Sequence, residues 1–198
     1  WAPAVFQNES NLLHFGLGLR YSDAKQPLRA RSRPEFNSAP RYVDTGQLSA
    51  DDQVTYNLET YWRHGPYMIG FEYLVTDVDS PQTGNPSFSG YHITGSWAVT
   101  GESRAYRKRS GTFDPLPVAK PVNRGGWGTV ELAFRYSNTD LTDGTVDGGE
   151  MDIWSLGVNW WLTRSASFGV NYRYISLDRS GIQGDSSVLN ARLLLMLD

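Results

Sequence analysis

The 198-residue chain has no cysteine, and its 18 basic residues divide into 3 lysines and 15 arginines. The first absence removes every disulfide, thiolate and cysteine-metal argument and suits passage through an oxidising compartment. The second leaves the cationic surface almost wholly to guanidinium groups. Also missing is any run of about 18 apolar residues, so no segment reads as a membrane-crossing helix. A net charge of -3 is too small to argue for nucleic acid as a partner. The three histidines, His14, His64 and His92, are scattered, and no serine, histidine and acid stand at a catalytic spacing, so the chain does not read as an enzyme. No cofactor motif is present, and the length fits a single domain.

What the chain has is aromatics, glycine and a period of two. Between Trp154 and Leu177, Trp154, Leu156, Val158 and Trp160 face one way and Ser155, Gly157, Asn159 and Trp161 the other. Phe168, Val170, Tyr172 and Tyr174 then oppose Gly169, Asn171, Arg173 and Ile175. This is the alternation of β-strands. It recurs in Leu13–Tyr21, Val54–Trp62, Tyr67–Val75, Tyr91–Val99, Val130–Tyr136 and Leu189–Leu197, and it places Arg29, Arg31 and Arg33 together on a strand through LRARSRPEF. A low mean hydropathy of -0.45 does not oppose a membrane barrel, whose lipid-facing residues occupy only alternate positions.

Aromatics stand six residues apart on the apolar faces: Tyr67 with Tyr73, Tyr91 with Trp97, Trp154 with Trp160, Phe168 with Tyr174. Six residues span about 20 Å of strand, the separation of the two aromatic girdles of an outer-membrane barrel. Tyr21, Trp62, Tyr67, Trp97, Trp160 and Phe168 lie beside short turns, and Tyr73, Tyr91, Tyr136, Trp154 and Tyr174 toward long loops. A soluble barrel or sandwich would turn its apolar face inward and has no reason to band its aromatics. Loops are expected at Ser38–Asp52, Asp77–Phe88, Asn138–Glu150 and Asp178–Ser186. Arg104–Gly111 reads as a strand. Keeping the alternation of turns and loops requires one more within Thr112–Gly126, giving eleven strands with it and ten without. The fold class is therefore all-β, a transmembrane antiparallel barrel.

On the face opposite the apolar one stand Arg20, Arg29, Arg31, Arg33, Arg63, Arg135, Arg173 and Arg192. A guanidinium stays charged and offers a planar fork to phosphate or carboxylate, so this set is an anion path. Glu59, Glu72 and Glu131 share the face, which allows a supporting belt of ion pairs instead, whereas no acid interrupts Arg29, Arg31 and Arg33. The acidic stretch Asp140–Asp152 lacks the EF-hand spacing, with Thr142 and Gly144 where oxygen ligands belong, and reads as a polar loop.

The runs GPYMIGFEY, SGYHITGSWAVTGESRAY, GGWGTVELAFRYSNTDL and LGVNWWLTRSASFGVNYRYI, in that order and with LRARSRPEF and YVDTG before them, resemble the C-terminal portion of the phosphate-selective porin O and P family. The resemblance covers the chain from about Leu13 to the end. It implies a homotrimeric, sixteen-stranded channel in the outer membrane of a Gram-negative bacterium, embedded in outer-membrane lipid and passing phosphate or other small anions along an arginine ladder. It also implies that the family's N-terminal strands and inward-folded, lysine-bearing constriction loop lie outside this chain. The 198 residues are then one barrel region, a C-terminal fragment of a longer porin. No signal peptide is visible from Trp1 on, although a secreted barrel requires one, so the chain is expected to be processed or a fragment; the outward parity of Leu195 and Leu197 puts the next outward residue, where such barrels end in an aromatic, at position 199. The rival reading is a non-transporting structural or adhesive outer-membrane barrel whose long loops bind partners.

Overall fold

The computed structural model describes residues 4–8, 10–23 and 27–196. The strands are β1 (Ala4–Gln7), β2 (Asn11–Asp23), β3 (Arg31–Ser32), β4 (Val43–Asp44), β5 (Asp52–His64), β6 (Tyr67–Asp79), β7 (Ser87–Ala98), β8 (Tyr106–Arg107), β9 (Thr112–Phe113), β10 (Thr129–Asp143), β11 (Val146–Trp161), β12 (Ala166–Arg179) and β13 (Ile182–Leu195). Nine of them form one antiparallel sheet in the order β1-β2-β5-β6-β7-β10-β11-β12-β13, each strand beside its predecessor in the wall. The pairs β3-β4 and β8-β9 are small separate ribbons. Among the described residues no helix is long and apolar enough to cross a bilayer. Strands β2, β5 to β7 and β10 to β13, at 12 to 16 residues each, exceed the roughly 9–11 that a tilted span needs.

The alternation sorts burial as expected. On β11, outward Leu156 is 59% exposed and inward Ile153 is 2% exposed. Phe15, Leu17, Leu19, Leu58, Ile69, Ile93, Leu132, Val158, Tyr172, Leu189 and Leu193 extend the same exposed apolar band across the wall. Apolar surface of this extent is unstable against water and stable against hydrocarbon. Aromatic pairs brace it: Tyr67 stacks on Trp97 at 5.9 Å, and Tyr136 packs on Trp154 at 4.5 Å. Leu197 lies outside the described residues.

The connections depart from expectation in four places. First, LRARSRPEF is not a wall strand; β2 pairs directly with β5, Tyr21 opposite Val54, and residues 27–51 form an excursion. Tyr21 therefore sits at the end of the sheet that carries Asp52, Asp79 and Asp143, the upper end, not beside a short turn. Second, Arg104–Gly126 contains no wall strand, because β7 pairs with β10 along its length. The described wall has nine strands rather than ten or eleven, and parity holds since the excursion leaves and returns at the same, lower end. Third, Asn138–Glu150 is strand almost throughout, with Asp143 opposite Val146 across a two-residue turn whose Gly144 has φ 56°. Fourth, Asp178–Ser186 is likewise a hairpin, turned by Ser180 and Gly181 at φ 55° and 71°, the two positive values that a type I′ turn demands.

Both excursions fold against the inner face. Arg104 is held from two wall strands three positions apart, accepting at its carbonyl from Arg63 on β5 and donating to Glu131 on β10, so the lower excursion lies across that part of the inner face.

Candidate functional site

The upper excursion is a ribbon. Leu28 and Leu48 exchange backbone hydrogen bonds of 2.9 and 2.8 Å, Thr45 donates to the Ala30 carbonyl at 3.0 Å, and β3 pairs with β4. The period of two read from LRARSRPEF is therefore real, but it belongs to a ribbon inside the wall. Leu28 and Ala30, with Val43 and Leu48, pack onto inward Val78, Phe88, Leu141, Met151, Ile153 and Ile175. An inward face that turns apolar in its upper half has no use in a water-filled lumen; it is there to hold this ribbon. Full burial of Val43 and Leu48 contributes about 1.5–3 kcal/mol each.

The opposite ribbon face carries Arg29, Arg31 and Arg33. Between it and the wall lies a cavity of 760 Å³ whose charged lining also includes Arg20, Arg135, Glu35 and Glu72, with His92. The arginines are not equivalent. Arg29 grips Asp44 in a bidentate pair, Nε to Oδ1 at 2.7 Å and Nη2 to Oδ2 at 2.6 Å. These hydrogen bonds are the main cause that brings the Asp44 carboxyl down to about 2, and Asp44 in turn raises Arg29 above the ordinary arginine value. No acid interrupts this arginine set along the chain, but Arg29 receives one from the returning arm of the ribbon. Arg33 donates from Nε to the Ala39 carbonyl at 2.8 Å, and among the described residues neither Arg31 nor Arg33 has a carboxylate within 4 Å. Arg41, which the alternation did not single out, completes the cluster; desolvation, then the charges of Arg31 and Arg33, lower its pKa from the usual arginine value.

Glu35, at the ribbon's end, crosses to β10. Its Oε1 accepts from Arg135 Nε at 2.7 Å and from the Ser137 hydroxyl at 2.9 Å. Strand register sets the surface beneath: Glu59, Glu72, His92 and Ser137 stand in one row across β5, β6, β7 and β10.

The remaining predicted arginines lie away from this cavity. Buried Arg63 donates to the Arg104 carbonyl under the lower excursion, Arg173 donates to Asn190 Oδ1 at 2.5 Å, and Arg192 sits on β13 opposite Gly169. The lower excursion is docked by a second polar set. His14 Nδ1 lies 2.6 Å from the Tyr106 hydroxyl, His14 Nε2 lies 3.0 Å from Glu59 Oε1, and Arg104 pairs with Glu131 at 2.6 Å. Tyr106 and Phe113 pack their rings on each other and on His14. Both halves of the inner surface are thus narrowed by chain folded inward. The Asp140–Asp152 stretch is hairpin rather than loop, and among the described residues no three His, Asp or Glu side chains converge as metal ligands. The chemistry on offer is that of guanidinium forks facing a water-accessible space: attraction and transient binding of oxyanions.

Glu35, Asp44, Arg41 and Ser137 were missed from sequence, where each was one polar residue among many. The available signal was the apolar turn of the inward positions Leu141, Met151, Ile153 and Ile175, which announces a packed partner.

Comparison with known proteins follows the same lines. The family model described as phosphate-selective porin O and P matches residues 1–197. An uncharacterized protein of Caulobacter vibrioides is 28% identical over 177 residues, covering 87% of this chain and 35% of that protein. Porin O of Pseudomonas aeruginosa is 24% identical over 209 residues, covering 89% of this chain and 46% of that protein. The chain therefore spans less than half the length of these curated relatives.

Proposed function

Because the chain belongs to the phosphate-selective porin O and P family, and so to the outer membrane of a Gram-negative bacterium, we propose that its nine described strands are part of the wall of a closed, sixteen-stranded, trimeric barrel through which small oxyanions, phosphate foremost, diffuse. The observation that carries this reading is the ribbon of residues 27–51 on the inner face. It holds Arg31 and Arg33, without acid partners among the described residues, at a 760 Å³ cavity shared with Arg20 and Arg135. Cations so placed raise the local anion concentration and lower the barrier to entry, while water on the cavity side keeps binding weak enough for release. Catalysis has no part in it: a channel needs no nucleophile, only a field and a width. The test is the reversal potential of the purified porin in a planar bilayer under a potassium chloride gradient. Anion preference is expected, and cation preference overturns the reading.

A second reading has an observation of its own. The lower excursion, docked through His14, Arg63 and Glu131, crowds the other half of the inner face. A barrel plugged there would serve a structural or adhesive role. Liposome swelling separates the two, since a plugged barrel admits no solute.

A further inference from the structure

The geometry points to an oxyanion seat made by the Arg135 guanidinium and the Ser137 hydroxyl, held in this conformation by the chain's own Glu35 carboxylate and opened to a phosphate or carboxylate ligand when Glu35 lets go. This rests on the pore reading above and adds to it an internal competitor for the transported anion.

Three observations carry it. A charged N–H donor at 2.7 Å and a hydroxyl donor at 2.9 Å converge on one oxygen, Glu35 Oε1, which is the donor set that an oxyanion recruits. Glu35 comes from the ribbon and not from the wall, so its carboxylate can leave without disturbing β10, whose register with β7 and β11 is continuous at Arg135 and Ser137. The backbone of Glu35 is left-handed, φ 55°, beside Pro34 and with its N–H on the Arg33 carbonyl at 2.7 Å. A non-glycine residue held there is strained, and such strain persists where another contact over-determines it. Here that contact is the carboxylate on Arg135 and Ser137. The seat opens on the same cavity as Arg31 and Arg33, so a ligand arriving along those arginines meets it directly.

An internal carboxylate on a short tether competes at high effective concentration. A seat covered nine-tenths of the time weakens apparent affinity about tenfold, and removal of the cover restores it. The experiment measures inorganic phosphate block of chloride current through the intact porin in planar bilayers, for wild type, Glu35→Ala, Glu35→Gln, and each combined with Ser137→Ala or Arg135→Gln. Glu35→Ala is expected to lower the half-blocking phosphate concentration about tenfold and Glu35→Gln to lower it less. Adding Ser137→Ala or Arg135→Gln should abolish the gain. A half-blocking concentration unchanged or raised in Glu35→Ala channels of normal chloride conductance overturns the inference, as does a gain that survives both second substitutions. The anion-pore reading is tested by the reversal potential of the wild-type porin, a separate measurement, so failure of the seat and failure of that reading are separately visible.

Discussion

Replacing Arg31 and Arg33 with alanine should cost the pore most of its charge selectivity, whereas deleting the Arg29–Asp44 pair as a unit should cost it little. The distinction follows from partners. Arg29 is bound at two points by Asp44, so the pair presents almost no net charge, while Arg31 and Arg33 have no carboxylate within 4 Å among the described residues. A unit charge acts on a passing anion about 8 Å away through water with roughly 0.5 kcal/mol. Two such charges supply about 1 kcal/mol, and about 1.4 kcal/mol is a factor of ten. The anion loses that attraction and a cation loses the equal repulsion, about 2 kcal/mol between them, so the double alanine variant should lower the anion-to-cation permeability ratio roughly 25-fold. Replacing Arg29 alone would mislead, because it strands the Asp44 charge; the informative control is Arg29→Ala with Asp44→Ala. Reversal potentials in salt gradients near 0.1 M and near 1 M complete the test, since the screening length falls from about 10 Å to about 3 Å and the effect should shrink with it. Equal losses in the two double variants, or an unchanged ratio in Arg31→Ala/Arg33→Ala, would refute the reasoning.

Further expectations concern the ribbon and the wall. Asp44, at about 2 in the fold against about 3.9 in an unfolded chain, stabilises the ribbon fully above the higher value and loses that contribution as the pH falls from about 4 through 2; protection of the Thr45 amide, with its exchange rate taken relative to the intrinsic rate at each pH, should fall over that interval and stay constant between pH 5 and 7. Leu156→Arg puts a charge in the middle of the exposed apolar band and should destabilise the folded barrel by about 2–4 kcal/mol in urea titrations from lipid, whereas Asp140→Arg, above the Tyr136–Trp154 girdle, should cost at most about 1 kcal/mol. Equal costs would place the band away from lipid. Gly70 leaves the room that the Tyr61 ring occupies, so Gly70→Ala forces that ring aside and should cost about 1–3 kcal/mol in the same titration, while Gly184→Ala, whose Cβ meets nothing within 4 Å, should be neutral by comparison.

Much of the wall is legible in the residue order alone. The inward and outward sets on β5, β6, β7 and β10 to β12 stand where period two puts them, and aromatics from the six-residue spacing meet cross-strand neighbours at both rims, Tyr67 with Trp97 and Trp154 with Tyr136. The errors share a cause. LRARSRPEF alternates, but alternation is a property of any extended ribbon with one covered face, and it does not say whether the cover is lipid or the protein's own wall. Asn138–Glu150 and Asp178–Ser186 read as loops because they are polar, yet a strand that overhangs the bilayer is polar on its outer face without ceasing to be a strand. Their turns are two residues each, hidden in longer stretches of Asp, Gly and Ser.

The sequence by itself determined the class of wall, because side-chain direction along a strand is set locally by the pleat and the residue order records it directly. It also determined that the cations would be guanidiniums. Which of those guanidiniums remain without a carboxylate was decided only by tertiary structure. Asp44 reaches Arg29 from the returning arm of the ribbon, and Arg135 lies a hundred residues from Glu35; Arg31 and Arg33 are left to the cavity because the ribbon turns that face away from the apolar wall. Charge balance at a pore depends on what folds back against what, and that is a long-range fact which no local pattern carries.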